Sequence, residues 1–178
     1  MVDTDVSHDQ NYPNSLRWLL LITAVPSDPA YLRVKLRRRI QRLGAVGLKG
    51  AVYLLPGSAT TREGFDGLRR EIVADGGDAT LCSAQLIEGM TDAAVIAGFT
   101  RDRSDEYRKF VAVCGDFEKA WGIAAPARRP VLISERGRLE RRLAGILGRD
   151  YFDAPAREAA LQAIERIAVL DIAVANAD

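Results

Sequence analysis

Residues 17–56 read RWLLLITAVPSDPAYLRVKLRRRIQRLGAVGLKGAVYLLP, and three kinds of patterning follow one another along them. Trp18 to Val25 is a continuous apolar run, as expected of a central strand covered on its faces, and Pro26 stops it. Ser27 to Gly44 has helical periodicity: at 100° per residue Leu32, Leu36, Ile40 and Leu43 fall within about 80° of one another. Asp28 is placed to cap the first turn, Pro29 suits the first helical position, and Gly44 suits the exit. Ala45 to Pro56 then reads as two short strands joined near Lys49–Gly50, or as one strand broken there by a bulge.

The helix in the middle of this stretch is unusually charged. Arg33, Lys35, Arg37, Arg38, Arg39 and Arg42 place six cations in ten residues, with no acid after Asp28. On the wheel Lys35, Arg38 and Arg42 lie opposite the apolar stripe, with Arg39 at one shoulder and Arg33 and Arg37 at the other. Like charges four residues apart repel, so the pattern costs local stability. A solvated face is one reading; a helix docked by its apolar side and meeting an anion with its basic side is the other. Gly44, Gly47 and Gly50 recur every third residue but form no GxGxxG and open no helix, so they serve turns and close packing rather than a nucleotide fingerprint.

Outward from this stretch the alternation continues. Thr60-Thr61-Arg62-Glu63 reads as a capping box starting a helix to about Ala74, with Phe65, Leu68, Ile72 and Val73 as its stripe. After the tight exit Asp75-Gly76-Gly77-Asp78, residues Ala79 to Ile87 read as a strand. Strand, helix, strand, strand, helix, strand is the βαββαβ order of a ferredoxin-like α+β fold, an antiparallel sheet with two helices on one face. The remainder reads as helical. Thr91 caps a short helix over Asp92–Phe99, and Ser104 to Gly122 carries Tyr107, Phe110, Val111, Cys114, Phe117 and Trp121 at core spacing. Ala124 to Pro130 reads as a mobile linker. Helices over about Leu132–Leu147 and Ala156–Val174 then offer Leu139, Leu143, Ile146 and Leu147 to Leu161, Ile164, Ile167 and Ala168 in a helical hairpin. The expected organisation is a loose tail over 1–14, a ferredoxin-like domain over 15–90, and a C-terminal helical extension over 91–178 packed on or beside it.

Composition narrows the function classes. The 178 residues carry a formal net charge of +1, so only the local clustering of charge speaks to partners. Cys82 and Cys114 are far apart and lack metal-ligand spacing, which fits a reducing compartment. The polar, acidic start is no secretory signal and Trp18–Val25 is too short to span a bilayer, so a cytoplasmic protein without membrane attachment is expected. The single histidine, His8, lies in the tail, where Asp5 and Asp9 make a poor metal set with it. No Ser/His or Cys/His pair is available to the fold, and the carboxylate groups Asp75 with Asp78, and Asp102 with Asp105 and Glu106, read as capping residues. Neither cysteine has a resolving partner beside it. No enzyme activity, cofactor or metal is expected.

Several of these segments resemble the N-terminal domain of the ChrB family, regulatory proteins of chromate resistance. They are Trp18-Leu-Leu-Leu-Ile, Tyr31-Leu-Arg-Val-Lys, Arg37-Arg38-Arg39, Leu43-Gly-Ala-Val, and Lys49 through Pro56. The resemblance continues in Thr61-Arg62-Glu63, Arg70-Glu71-Ile72-Val73, Asp150-Tyr151-Phe152 and Pro155-Ala-Arg157-Glu158. It implies a ferredoxin-like core and chromate-responsive control of an operon encoding a chromate efflux pump. The same core recurs in the CRISPR adaptation nuclease and the phenylacetate-degradation repressor. The nuclease's acid at the end of the first strand is replaced here by Thr23-Ala24-Val25. ChrB proteins usually continue into a second domain, whereas this chain ends at Asp178, so sensing or redox chemistry housed there is expected to be absent or to come from another chain. Within the basic helix Leu36 stands where the family resemblance implies an aromatic residue, and Gly50-Ala51 follow Lys49 in place of Asn-Ser.

Four functions stay open at this point. The leading one is a homodimeric regulator gripping promoter DNA phosphates with Lys35, Arg38, Arg39 and Arg42, helped by Arg33, Arg37 and Lys49. In the second, the same cations hold chromate or another oxyanion without DNA. The third is an adaptor docking an acidic partner encoded separately. A nuclease or reductase is the fourth, and the missing acid and absent catalytic pairs oppose it.

Overall fold

The computed structural model describes residues 17–26 and 28–175, with side-chain surroundings through residue 170. The tail, with Asp5, His8 and Asp9, lies outside the described residues, as does Ser27. Strand β1 (Trp18–Ala24) leads to helix α1 (Tyr31–Leu43), the hairpin β2 (Val46–Gly47) and β3 (Val52–Pro56), helix α2 (Ala59–Ala74) and strand β4 (Asp78–Ala84). The chain then becomes helical in α3 (Asp92–Gly122), a 3-10 turn at Pro126–Arg128, α4 (Arg129–Leu147) and α5 (Arg157–Ala175). The fold is α+β. No helix among the described residues is long and apolar enough to cross a membrane.

The sheet is four-stranded in the order β2-β3-β1-β4, and every neighbouring pair is antiparallel. β1 is interior: Leu20 sits between Leu54 of β3 and Cys82 of β4. Its side chains alternate across the pleat. Leu19, Leu21 and Thr23 are buried along one face, whereas on the other Trp18 is buried, Leu20 half-buried and Ile22 exposed. One face is thus covered throughout and the other only where the strand begins. The hairpin reverses at Gly50 (φ 55°), closed by the Val52 amide donating to Lys49 C=O at 3.1 Å.

α1 and α2 close over the sheet through Leu36, Ile40, Phe65, Leu68 and Ile72. They approach closely at Gly64, where a Cβ would meet Leu43 Cδ2 at 2.8 Å. Two capping expectations are corrected. Asp28 does not cap α1: the cap is Ala30, without a side-chain bond, and Pro29 falls before the helix. The capping box of α2 is formed by Ser58 and Thr61, two residues upstream of the expected start, because Ser58 has the extended backbone an N-cap needs. Thr61 is buried and also donates to Pro56 C=O at 2.6 Å, while Val73 of the expected stripe is half exposed. β4 is shorter than expected, ending at Ala84.

Thr91 caps α3 as expected, its hydroxyl accepting from the Ala94 amide at 3.2 Å. Instead of two helices, α3 is one helix of 31 residues. The expected gap at Thr100-Arg101-Asp102-Arg103 holds no Gly or Pro, and Arg103 turns inward, so the helix runs on. Its first turns join the sheet core: Trp18 stacks on Phe99 (6.1 Å, 6°) and donates from Nε1 to Asp92 Oδ1 at 2.7 Å. Its later turns supply the expected aromatic stripe, with Tyr107, Phe110, Cys114, Phe117 and Trp121 all buried. α4 begins at Arg129, three residues before the expected Leu132, because the linker winds into the 3-10 turn and Pro130 tolerates the first turn. The hairpin of α4 and α5 is completed by α3: Leu132, Leu139, Leu143, Ile146, Ala160, Ala163 and Ile167 share one core with the stripe.

Candidate functional site

The basic helix α1 buries Leu32, Leu36 and Ile40 and leaves its cations around the rim. They fall into two sets. Lys35 and Arg39, one turn apart, face α2. Lys35 Nζ donates to Asp75 Oδ2 at 2.6 Å, and Arg39 donates to both Glu71 oxygens, from Nε to Oε2 at 3.1 Å. The hydrogen bond from Lys35 to Asp75 holds the ammonium's pKa above the usual lysine range. The helix is therefore not left uncompensated on this side. The wheel placed Lys35 opposite the stripe and Arg39 at a shoulder, but α2 packs close enough for long side chains to reach its carboxylates.

The second set is Arg37, Arg38 and Arg42, all exposed and without an acidic partner among the described residues. Arg38 and Arg42 share an open hollow on the surface of α1 with Tyr31 and Val34, which are 63% and 51% exposed. Arg42 also sits in the last turn, where a cation complements the helix dipole. Arg33 is exposed but engaged. Lys49 lies in the turn between β2 and β3 and lines neither this hollow nor the groove described next. Among the described residues three of the seven expected cations thus lack an acidic partner, Arg38 and Arg42 together on the hollow and Arg37 apart from both hollow and groove, while Lys35 and Arg39 are committed to α2.

Sequence reasoning missed a second basic element. An open groove of about 610 Å³ runs between the end of α1 and the middle of α3, and Arg38 and Arg42 meet Arg103, Lys109 and Arg149 there. Gly44 builds its wall: φ is 67°, and a Cβ would lie 2.9 Å from Arg149 Cβ. The Tyr151 hydroxyl ties the same corner, donating to Leu43 C=O at 2.7 Å. Asp102, Asp105 and Glu106 are mid-helix rather than caps. Glu106 Oε2 accepts from Arg103 Nη1 at 2.8 Å and from Arg149 Nη2 at 2.7 Å. Arg103 is only 6% exposed, and the Nε atoms of Arg103 and Arg149 are buried without a partner among the described residues. Glu106 and Arg149 stand 43 residues apart, so no local spacing announces the cluster.

Thiol chemistry finds little support in these surroundings. Burial in the helical core pushes the Cys114 thiol up to about 11. Cys82 is half-buried on β4, with Sγ 3.9 Å from Leu20 C=O. Among the described residues no three His, Cys, Asp or Glu side chains converge as metal ligands. What the surface offers is arginine, a planar fork suited to phosphate and other oxyanions.

The family model described as "Protein ChrB, N-terminal" matches residues 33–126, and the chain belongs to that family. The match contains most of α1, all of α2 and all of α3. Protein ChrB of Cupriavidus metallidurans is 31% identical over 94 residues, covering 53% of this chain and 28% of that protein. The aligned region is thus little more than a quarter of that relative's length. No solved structure matches the chain.

Proposed function

We propose that this ChrB-family chain is a chromate-responsive transcriptional regulator that acts in the cytoplasm and binds promoter DNA through the outer surface of α1. The observation that carries the reading is that Arg37, Arg38 and Arg42 are exposed on α1 without an acidic partner among the described residues, whereas Lys35 and Arg39 are paired with Asp75 and Glu71. A rigidly docked helix presenting guanidinium forks is matched to a row of phosphates. The family's link to chromate resistance supplies the effector. The core is read as ferredoxin-like, supported by the β–α–β–β–α–β succession and the sheet order β2-β3-β1-β4. The reading involves no catalytic step: among the described residues Cys82 and Cys114 stand on different elements and no three His, Cys, Asp or Glu side chains converge as metal ligands.

The test is fluorescence anisotropy of the purified protein on labelled DNA from upstream of its own gene, with and without chromate at constant ionic strength. Sequence-preferring binding that chromate releases is the expected result. No binding at low salt would defeat the DNA reading.

A further inference from the structure

We propose that the groove between α1 and α3 is a binding site for a small doubly charged tetrahedral oxyanion, and that its occupation draws Arg38 and Arg42 away from the outer surface of α1. The charge balance of the groove is the starting point. Its three acids are already engaged: Asp105 by Arg108, Asp102 by Arg101 at 3.8 Å, and Glu106 by Arg103 and Arg149 together. One carboxylate between two guanidiniums leaves one positive charge over. Arg38, Arg42 and Lys109 line the groove without an acidic partner among the described residues. A groove so lined is a positive sink.

The state of the two inner arginines points the same way. Arg103 is nearly sealed from solvent, and among the described residues its side chain donates only to Glu106. Arg149 spends Nη2 on that same oxygen. Buried charges of this kind are normally satisfied on every donor, and these two each keep an Nε without a partner among the described residues. A dianion in the groove cancels the excess charge and offers acceptor oxygens to the cationic side chains that line it. Chromate, sulfate and phosphate share this chemistry.

The coupling follows from shared residues. Arg38 and Arg42 line both the outer hollow and the groove. Long guanidinium side chains at the boundary satisfy either a DNA phosphate outside or an anion inside. This second half rests on the DNA-binding reading of α1; the anion site itself does not.

The site is tested first without DNA, by calorimetric titration of sodium sulfate, phosphate and chromate into the protein against chloride of matched ionic strength. Saturable binding is expected, weakened about tenfold in Lys109→Gln and unchanged in Arg37→Gln. Lys109 is exposed, so its replacement leaves the fold intact. A preference for chromate would identify the effector, and equal affinities would mark a general dianion site; either supports the proposal. No saturable binding, or equal effects of the two substitutions, overturns it. With DNA present, the dianion should release the wild type at constant ionic strength. Anion binding without release would overturn the coupling, whereas loss of DNA binding alone would strike only the reading of α1.

Discussion

Salt dependence separates the free cations of α1 from the committed ones. Each phosphate neutralised on duplex DNA contributes about 0.9 to the slope of log affinity against log salt. Arg37, Arg38 and Arg42 lack acidic partners among the described residues, whereas Lys35 and Arg39 already hold Asp75 and Glu71. Three contacts give a slope of about −2.7, or about a 40-fold loss of affinity for a fourfold rise in salt. Arg37→Gln leaves two contacts, a slope of about −1.8 and about a 12-fold loss. Lys35→Gln should leave the slope unchanged, because the ammonium it removes is bonded to Asp75 at 2.6 Å. The assay is anisotropy at about 50 and about 200 mM salt for the three proteins. Equal flattening by both substitutions would refute the division of α1 into two sets, and a slope near zero would refute phosphate contact altogether.

Other expectations concern the scaffold. Trp18→Ala removes a fully buried ring that stacks on Phe99 and bonds Asp92, and should cost about 3–5 kcal/mol in urea unfolding. Gly44→Ala places a Cβ at positive φ against Arg149 and should cost about 1–2 kcal/mol; an unchanged urea midpoint would refute the strain. Burial raises the pKa values of Cys114, to about 11, and of Tyr107 and Tyr151. Each ionises first in the unfolded chain, so the contribution of Cys114 is lost between about pH 9 and pH 11, and those of the two tyrosines only from about pH 10 upward. The urea midpoint should therefore fall over that range, and Cys114→Ala should soften the early part of the fall.

The sheet and its two helices were legible because each depends on nearby residues. The apolar run of β1, the hairpin around Gly50 and the stripe Phe65, Leu68 and Ile72 are all set by spacing of a few positions. The aromatic stripe of α3 was legible for the same reason. What escaped was decided at a distance. The charged run Arg101-Asp102-Arg103 reads as a break between helices, and only the burial of Arg103, paired with Glu106 beside Arg149, shows why the helix continues. A helical wheel orients the cations of α1 about its own axis but does not reveal that Glu71 and Asp75 wait on α2. The capping positions slipped by a few residues, since Asp, Ser and Thr compete for that role wherever they cluster.

The uninterrupted α3 has a further consequence. Val95 and Phe99 belong to the core under the sheet, and Phe110, Cys114 and Phe117 to the core among the helices. Neither half can melt without fraying the rod that the other grips. The chain should therefore unfold as one cooperative unit, and a fragment cut between the halves would expose a long apolar stripe. Whatever bends or braces α3 at Glu106 is then felt at both ends of the molecule.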